Sequence, residues 1–112
     1  MNDKLKDPLT DALFDSILAL KTQEECYRLF EDLCTISEIK SLAQRLQIAS
    51  LLYKGCTYSE IFEITGVSTA TISRVNRSLE YGADGYRTVF ERIEQADSPP
   101  NTHTKGVKDT HL

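Results

Sequence analysis

Apolar residues recur every three or four positions over most of the chain, a spacing that predicts amphipathic helices. The first helix is expected directly after Asp7-Pro8, because proline suits the first turn of a helix. A capping-box pattern from Thr22 to Glu25 predicts the start of the second helix. The first helix has an apolar stripe too wide for a helix lying on one surface, made of Leu9, Leu13, Phe14, Ile17, Leu18 and Leu20. The second has the expected inward positions Cys26, Leu29, Phe30 and Leu33.

The third predicted helix is capped by Ser37 and runs to about Lys54, with Gly55 just beyond its end. Its last part, residues 48–53, is apolar nearly all round, as expected of a central buried helix. Its apolar seam consists of Ile39, Leu42, Ala43, Leu46 and Ala49.

Two further helices are predicted on either side of Gly66. A second capping box, from Thr57 to Glu60, opens the fourth helix, which carries Ile61, Phe62 and Ile64. Ser68 is expected to cap the fifth helix, which runs to about Glu80 with Ile72, Val75 and Leu79 inward.

A sixth helix is expected after Gly82, capped by Asp84, with Tyr86, Val89, Phe90 and Ile93 at its apolar positions. No stretch alternates convincingly like a β-strand, so the chain is predicted to be an all-α, six-helix domain over residues 8–96. Residues 1–7 are expected to be flexible. Residues 97–112 are polar and contain a Pro-Pro pair, so they are expected to form a disordered tail.

Composition narrows the class of protein. The chain has 112 residues, 40% of them apolar and 27% charged, and a net charge of −4. It contains no apolar run long enough for a membrane span and no signal-peptide pattern, and its three widely spaced cysteines fit a reducing cytoplasm. Neither a metal-ligand spacing nor a nucleophile–base pair is present. We therefore expect a cytoplasmic protein that is no enzyme and needs no cofactor or metal.

The segment from Tyr58 to Leu79 has the spacing of a helix-turn-helix, predicted over about residues 58–80. Gly66 suits the positive φ that the tight turn requires, and Val67 is expected to fill the gap between the two helices. Ile72 and Val75 would anchor the second helix and leave its other side free for the major groove of DNA.

A helical wheel of that second helix turns Ala70, Ser73, Arg74 and Arg77 outward. Its first turn, Thr69 to Thr71, is small enough to approach base edges, and the arginines can reach guanine edges or phosphates. Thr57 and Ser59, at the start of the preceding helix, are further candidates for phosphate contacts. The predicted DNA-binding set is thus Thr57, Ser59, Thr69, Ala70, Thr71, Ser73, Arg74 and Arg77. The alternative is a helix-turn-helix that serves only packing or protein contact, which the acidic balance of the chain favours.

The run from Gly66 to Arg74, followed by Asn76-Arg-Ser-Leu79, resembles the recognition helix of the Trp repressor superfamily. Within it, the chain is most similar to the YerC/YecD-type Trp-repressor-like proteins, over roughly Asp11 to Glu94. This resemblance implies a transcription regulator, most simply a repressor, that binds double-stranded DNA. It also implies an intertwined homodimer, which agrees with the wide apolar stripe of the first helix.

The resemblance also identifies a possible effector site. The residues that grip tryptophan in tryptophan-sensing members correspond to Thr35, Arg45, Arg74 and Ser78. Those members have glycine where this chain has Val75. A valine at this inward position would occupy the space of the ligand ring, so tryptophan is not expected to be the effector.

Overall fold

The periodic apolar segments fold into six α-helices in a computed structural model that describes residues 2–97. The helices are α1 (Pro8–Leu18), α2 (Gln23–Leu33), α3 (Ile36–Tyr53), α4 (Tyr58–Thr65), α5 (Thr69–Tyr81) and α6 (Gly85–Asp97). Within this described part there is no β-strand, and the all-α prediction is confirmed. None of these helices is both long and apolar enough to span a bilayer.

The ends of the described chain differ in part from the sequence predictions. A short 3-10 helix, Asp3–Leu5, lies in the segment expected to be flexible. Asp97, where the tail was expected to begin, is still in α6. The rest of the predicted tail, residues 98–112, lies outside the described residues.

The cap of α1 follows from the sequence. Asp7 is the N-cap residue, and its carboxylate accepts a hydrogen bond from the Thr10 amide at 2.7 Å. Hydrogen bonds from the backbone and side chain of Thr10 hold the pKa of the Asp7 carboxyl below its ordinary value.

The cap of α3 differs from the prediction. Thr35, not Ser37, caps this helix: its hydroxyl accepts from the Glu38 amide at 3.1 Å, and the Glu38 carboxylate accepts from the Thr35 amide at 2.8 Å. This capping box satisfies two backbone N–H groups at once, whereas Ser37 lies inside the first turn.

Asp84 precedes α6 as predicted, but the described hydrogen bonds at this residue involve its backbone. Its carbonyl oxygen accepts from the Thr88 amide at 3.0 Å and from the Thr88 hydroxyl at 2.9 Å. The backbone of Asp84 is left-handed, with φ 67°, a conformation that aspartate tolerates better than most residues.

The described chain divides into two compact units, one up to Leu42 and one from Ala43 onward. The second unit contains the buried core, which is formed by Ile48, Ala49, Ile61, Ile72, Val75 and Phe90. These residues come from α3, α4, α5 and α6, so the core fixes the helix-turn-helix against the two helices that flank it.

In the first unit no described side chain is fully buried. Leu9 is 85% exposed, Leu18 81% and Leu33 52%. Cys26 is also exposed, so the expectation that Cys26 and Leu33 point inward is wrong for the single chain. The α1 and α2 helices therefore present apolar surface that one copy of the chain does not cover.

Candidate nucleic-acid interface

The turn between α4 and α5 is made by Gly66, Val67 and Ser68. Gly66 has φ 74°, and its amide donates to the carbonyl oxygen of Phe62 at 2.7 Å. Among the described residues, apart from Gly66 itself and its chain neighbours, nothing lies within 4 Å of the position that a Cβ would take here. Glycine is therefore needed here for its left-handed backbone and not for lack of space, as the sequence predicted.

Thr65 holds the same turn, a role that the sequence analysis missed. Its hydroxyl donates to the Ile61 carbonyl oxygen at 2.8 Å and accepts from the Val67 amide at 3.2 Å. Val67 packs against the core, as expected of the residue between the two helices. A threonine next to a C-capping glycine was the available signal, because threonine often hydrogen-bonds to the backbone four residues earlier.

The inward side of α5 was predicted correctly. Ile72, Val75 and Leu79 are 0%, 4% and 2% exposed. With this side buried, the opposite side of α5 is fixed toward solvent.

That opposite side carries most of the predicted DNA-binding residues. Thr69, Ala70, Ser73, Arg74 and Arg77 are all exposed. Neither guanidinium group forms an ion pair or hydrogen bond with another residue in the range 2–97. The first turn of α5 contains no acidic residue, so its positive dipole end is not neutralised from within the helix. The surface made of these five residues is here called the α5 face. It has small side chains in the first turn of the helix, followed by two arginines without a partner among the described residues.

The other predicted DNA-binding residues have roles in caps or stand nearby. The Thr57 hydroxyl accepts from the Glu60 amide at 3.1 Å as the N-cap of α4, and Ser59 is exposed one residue into that helix. Thr71 is half-buried, with its hydroxyl 3.2 Å from that of Ser68, the N-cap of α5. Unlike the exposed members of the predicted set on α5, Thr71 is thus partly buried and contacts the cap of the helix.

The charges around the α5 face are mixed. The α4 helix carries exposed Glu60 and Glu63 and no basic residue. At the other end of α5, the Glu80 carboxylate lies 3.3 Å from the guanidinium of Arg87 on α6. The Arg87 guanidinium also lies 5.8 Å from the centre of the Tyr53 ring. Sequence reasoning missed this group because its members lie on three different helices.

The possible effector residues are divided between the two units of the chain. Thr35 belongs to the first unit and caps α3, while Arg45, Arg74 and Ser78 are exposed in the second unit. Ser78 lines an open cleft of about 440 Å³ between α3, α5 and α6, together with Leu46, Ala83, Gly85, Tyr86 and Val89. Among the described residues, no group of histidine, cysteine, aspartate and glutamate side chains could hold a metal ion.

The sequence model of the Trp repressor protein family matches residues 9–94 of the chain. The chain belongs to the Trp repressor family. The matched residues include both helices of the helix-turn-helix and the turn that Gly66 forms.

Individual proteins of known sequence or structure are also similar to this chain. The protein YerC of Bacillus subtilis (strain 168) is 55% identical over 96 residues, which are 86% of this chain and 92% of YerC. The crystal structure of a TrpR-like protein from Eubacterium eligens ATCC 27750 has 57% sequence identity and a TM-score of 0.79, over 83% of this chain and 96% of that one. A solved structure from Staphylococcus aureus is 51% identical with a TM-score of 0.78, over 82% and 92% of the two chains. These similarities confirm the predicted family and fold.

Proposed function

We propose that the protein is a sequence-specific regulator of transcription that binds double-stranded DNA as a homodimer and acts as a repressor in the cytoplasm. The observation that carries the proposal is the α5 face, where Arg74 and Arg77 are exposed and unpaired within the described chain. Membership of the Trp repressor family supports the same function.

On this proposal α5 enters the major groove with its first turn leading. Thr69, Ala70 and Ser73 are small enough to let the helix approach, and the methyl groups of the first two can contact a thymine methyl. Arg74 and Arg77 contact guanine edges or phosphates. The hydroxyl groups of Thr57 and Ser59 donate hydrogen bonds to phosphate where α4 crosses the DNA backbone, and Thr71 completes the set by holding the cap of α5.

A homodimer fits both the apolar surface and the charge of the protein. Leu9 and Leu18 on α1 are more than four-fifths exposed in the single chain, and a second copy would cover them. The net charge of −4 makes the attraction of one subunit to DNA weak, so two α5 faces on two half-sites are needed for firm binding. Sedimentation at low micromolar concentration is expected to show a dimer, and a well-folded monomer would contradict this part of the proposal.

We further propose that DNA binding does not depend on tryptophan. Val75 is almost fully buried in the core, where tryptophan-sensing members of the superfamily have glycine. The exposed Arg45, Arg74 and Ser78 of the second unit could still hold a small polar effector, but a large ring would compete with the valine for space.

The deciding experiment selects bound fragments from a bacterial genome and measures affinity for the enriched sequence at about 50 mM and about 200 mM salt. Arg77→Ala is expected to weaken specific binding by about 1–3 kcal/mol if the arginine contacts a base, and to act equally on all sequences if it contacts phosphate. Arg92→Ala is the matched control, because it removes the same charge from an exposed position on α6. Binding should fall in the first variant only, with unchanged melting in both.

A protein-interaction module is the second candidate function. It is favoured by α4, which exposes Phe62 next to Glu63 and offers phosphate no basic side chain. If no sequence is enriched at the lower salt concentration, DNA binding is refuted and this second function takes its place.

A further inference from the structure

The α5 helix carries an acidic residue, Glu80, on the side proposed to face DNA. At about 100° per residue, Glu80 lies about 20° from Ser73 around the helix axis and about 60° from Arg77. Its side chain is 47% exposed. Glu80 thus continues the column of positions formed by Thr69 and Ser73 toward the end of the helix.

The distance along α5 places Glu80 where a DNA backbone would pass. Glu80 lies eleven positions after Thr69, which corresponds to roughly 16 Å of helix. The major groove is only about 12 Å wide, so a helix with its first turn at the bases brings Glu80 to the level of the phosphates. An uncompensated carboxylate at this point would repel DNA.

Arg87 compensates that carboxylate from outside α5. Its guanidinium lies 3.3 Å from the Glu80 carboxylate and 5.8 Å from the centre of the Tyr53 ring. The Tyr53 ring is in turn 5.2 Å from that of the buried Phe90. The cation, which α6 carries, therefore lies between the Tyr53 ring on α3 and the Glu80 carboxylate on α5.

We propose that the Glu80–Arg87 pair sets the affinity of the protein for DNA, with Arg87 neutralising an acid that otherwise opposes the phosphate backbone. This inference rests on the proposed DNA-binding function. It assigns to both residues an electrostatic part in binding that is separate from base contacts by the α5 face. Because the pair is partly exposed, its effect is moderate and depends on salt.

Removing one charge at a time tests the pair. Arg87→Gln leaves Glu80 unpaired and is expected to weaken binding to the selected sequence about three- to fivefold at about 50 mM salt. Glu80→Gln leaves a free cation and is expected to strengthen binding by a similar factor. The double variant should return to within about twofold of the native protein, and Arg87→Lys should preserve the native affinity. All differences should shrink at about 200 mM salt.

A purely structural pair predicts a different pattern. Both single variants would then lower the melting temperature and weaken DNA binding, and the size of neither effect would depend on salt. That result would overturn the proposal, as would equal affinity of all variants while Arg77→Ala still loses binding. If the native protein binds no DNA, the proposed function and this inference fail together. If it binds DNA but either of these two results is found, the inference alone is refuted.

Discussion

Substitutions of Val75 test two predictions together: that this valine fills the core, and that it excludes tryptophan. The side chain is 4% exposed and packs in the core with Ile72 and Phe90. Val75→Ala removes two carbons, which amounts to about 1.6 kcal/mol of transfer free energy at about 0.8 kcal/mol each. The cavity that remains adds a further cost, so the free energy of unfolding should fall by about 2–3 kcal/mol. For a domain of this size that corresponds to a melting temperature lower by roughly 10–20 °C.

The assay is thermal unfolding followed by circular dichroism at a fixed protein concentration, with and without about 1 mM L-tryptophan. The native protein should not respond to tryptophan, because valine occupies the space of the ring. Val75→Gly restores the residue of the tryptophan-sensing members and costs about 1 kcal/mol more in helix propensity. In this variant the amino acid should raise the melting temperature.

Two results would refute the reasoning about Val75. A Val75→Ala protein as stable as the native one would show that the valine does not fill the core as described. Calorimetry that finds micromolar tryptophan binding to the native protein, lost in Arg45→Ala, would show that the ring is accommodated beside the valine.

Three further predictions concern caps and turns. Gly66→Ala should cost about 1–2 kcal/mol from its left-handed backbone alone, and Gly66→Asn less, as measured by denaturant unfolding; equal stability of all three would contradict the turn geometry. Thr57→Ala should cost about 1 kcal/mol and Thr57→Ser almost nothing, since serine keeps the capping hydrogen bond; equal losses would point to packing instead. The pKa of Asp7 should lie below its ordinary value of 3.8 when followed by carboxyl NMR. Because the folded-state pKa is lowered, this cap stabilises α1 above that value and is lost as pH falls through the lowered pKa; an Asp7 pKa at or above 3.8 would refute it.

The sequence predicted those features of the fold that depend only on residues close together in the chain. Glycine at position 66 and the buried side of α5 followed from local pattern, because turn conformation and helical period are local properties. The cap at Thr35 was equally local and was missed, although Thr35 and Glu38 show the capping-box spacing and Ser37 has no partner three residues on. The exposure of Leu33 could not be predicted, because it depends on which surfaces one copy of the chain leaves uncovered.

The net charge of the chain likewise does not predict its function, because it does not say where the charges lie. A charge of −4 counts every acid equally, but an acid acts on DNA only according to its position and its partner. The Glu60 carboxylate accepts a hydrogen bond from the Thr57 amide at 2.8 Å in the capping box of α4, and Glu80 is paired with Arg87. On the α5 face, Arg74 and Arg77 have no such partner within residues 2–97. An acidic protein can therefore carry a locally cationic surface, because Glu80 is offset by an ion pair while Arg74 and Arg77 have no acidic partner among the described residues.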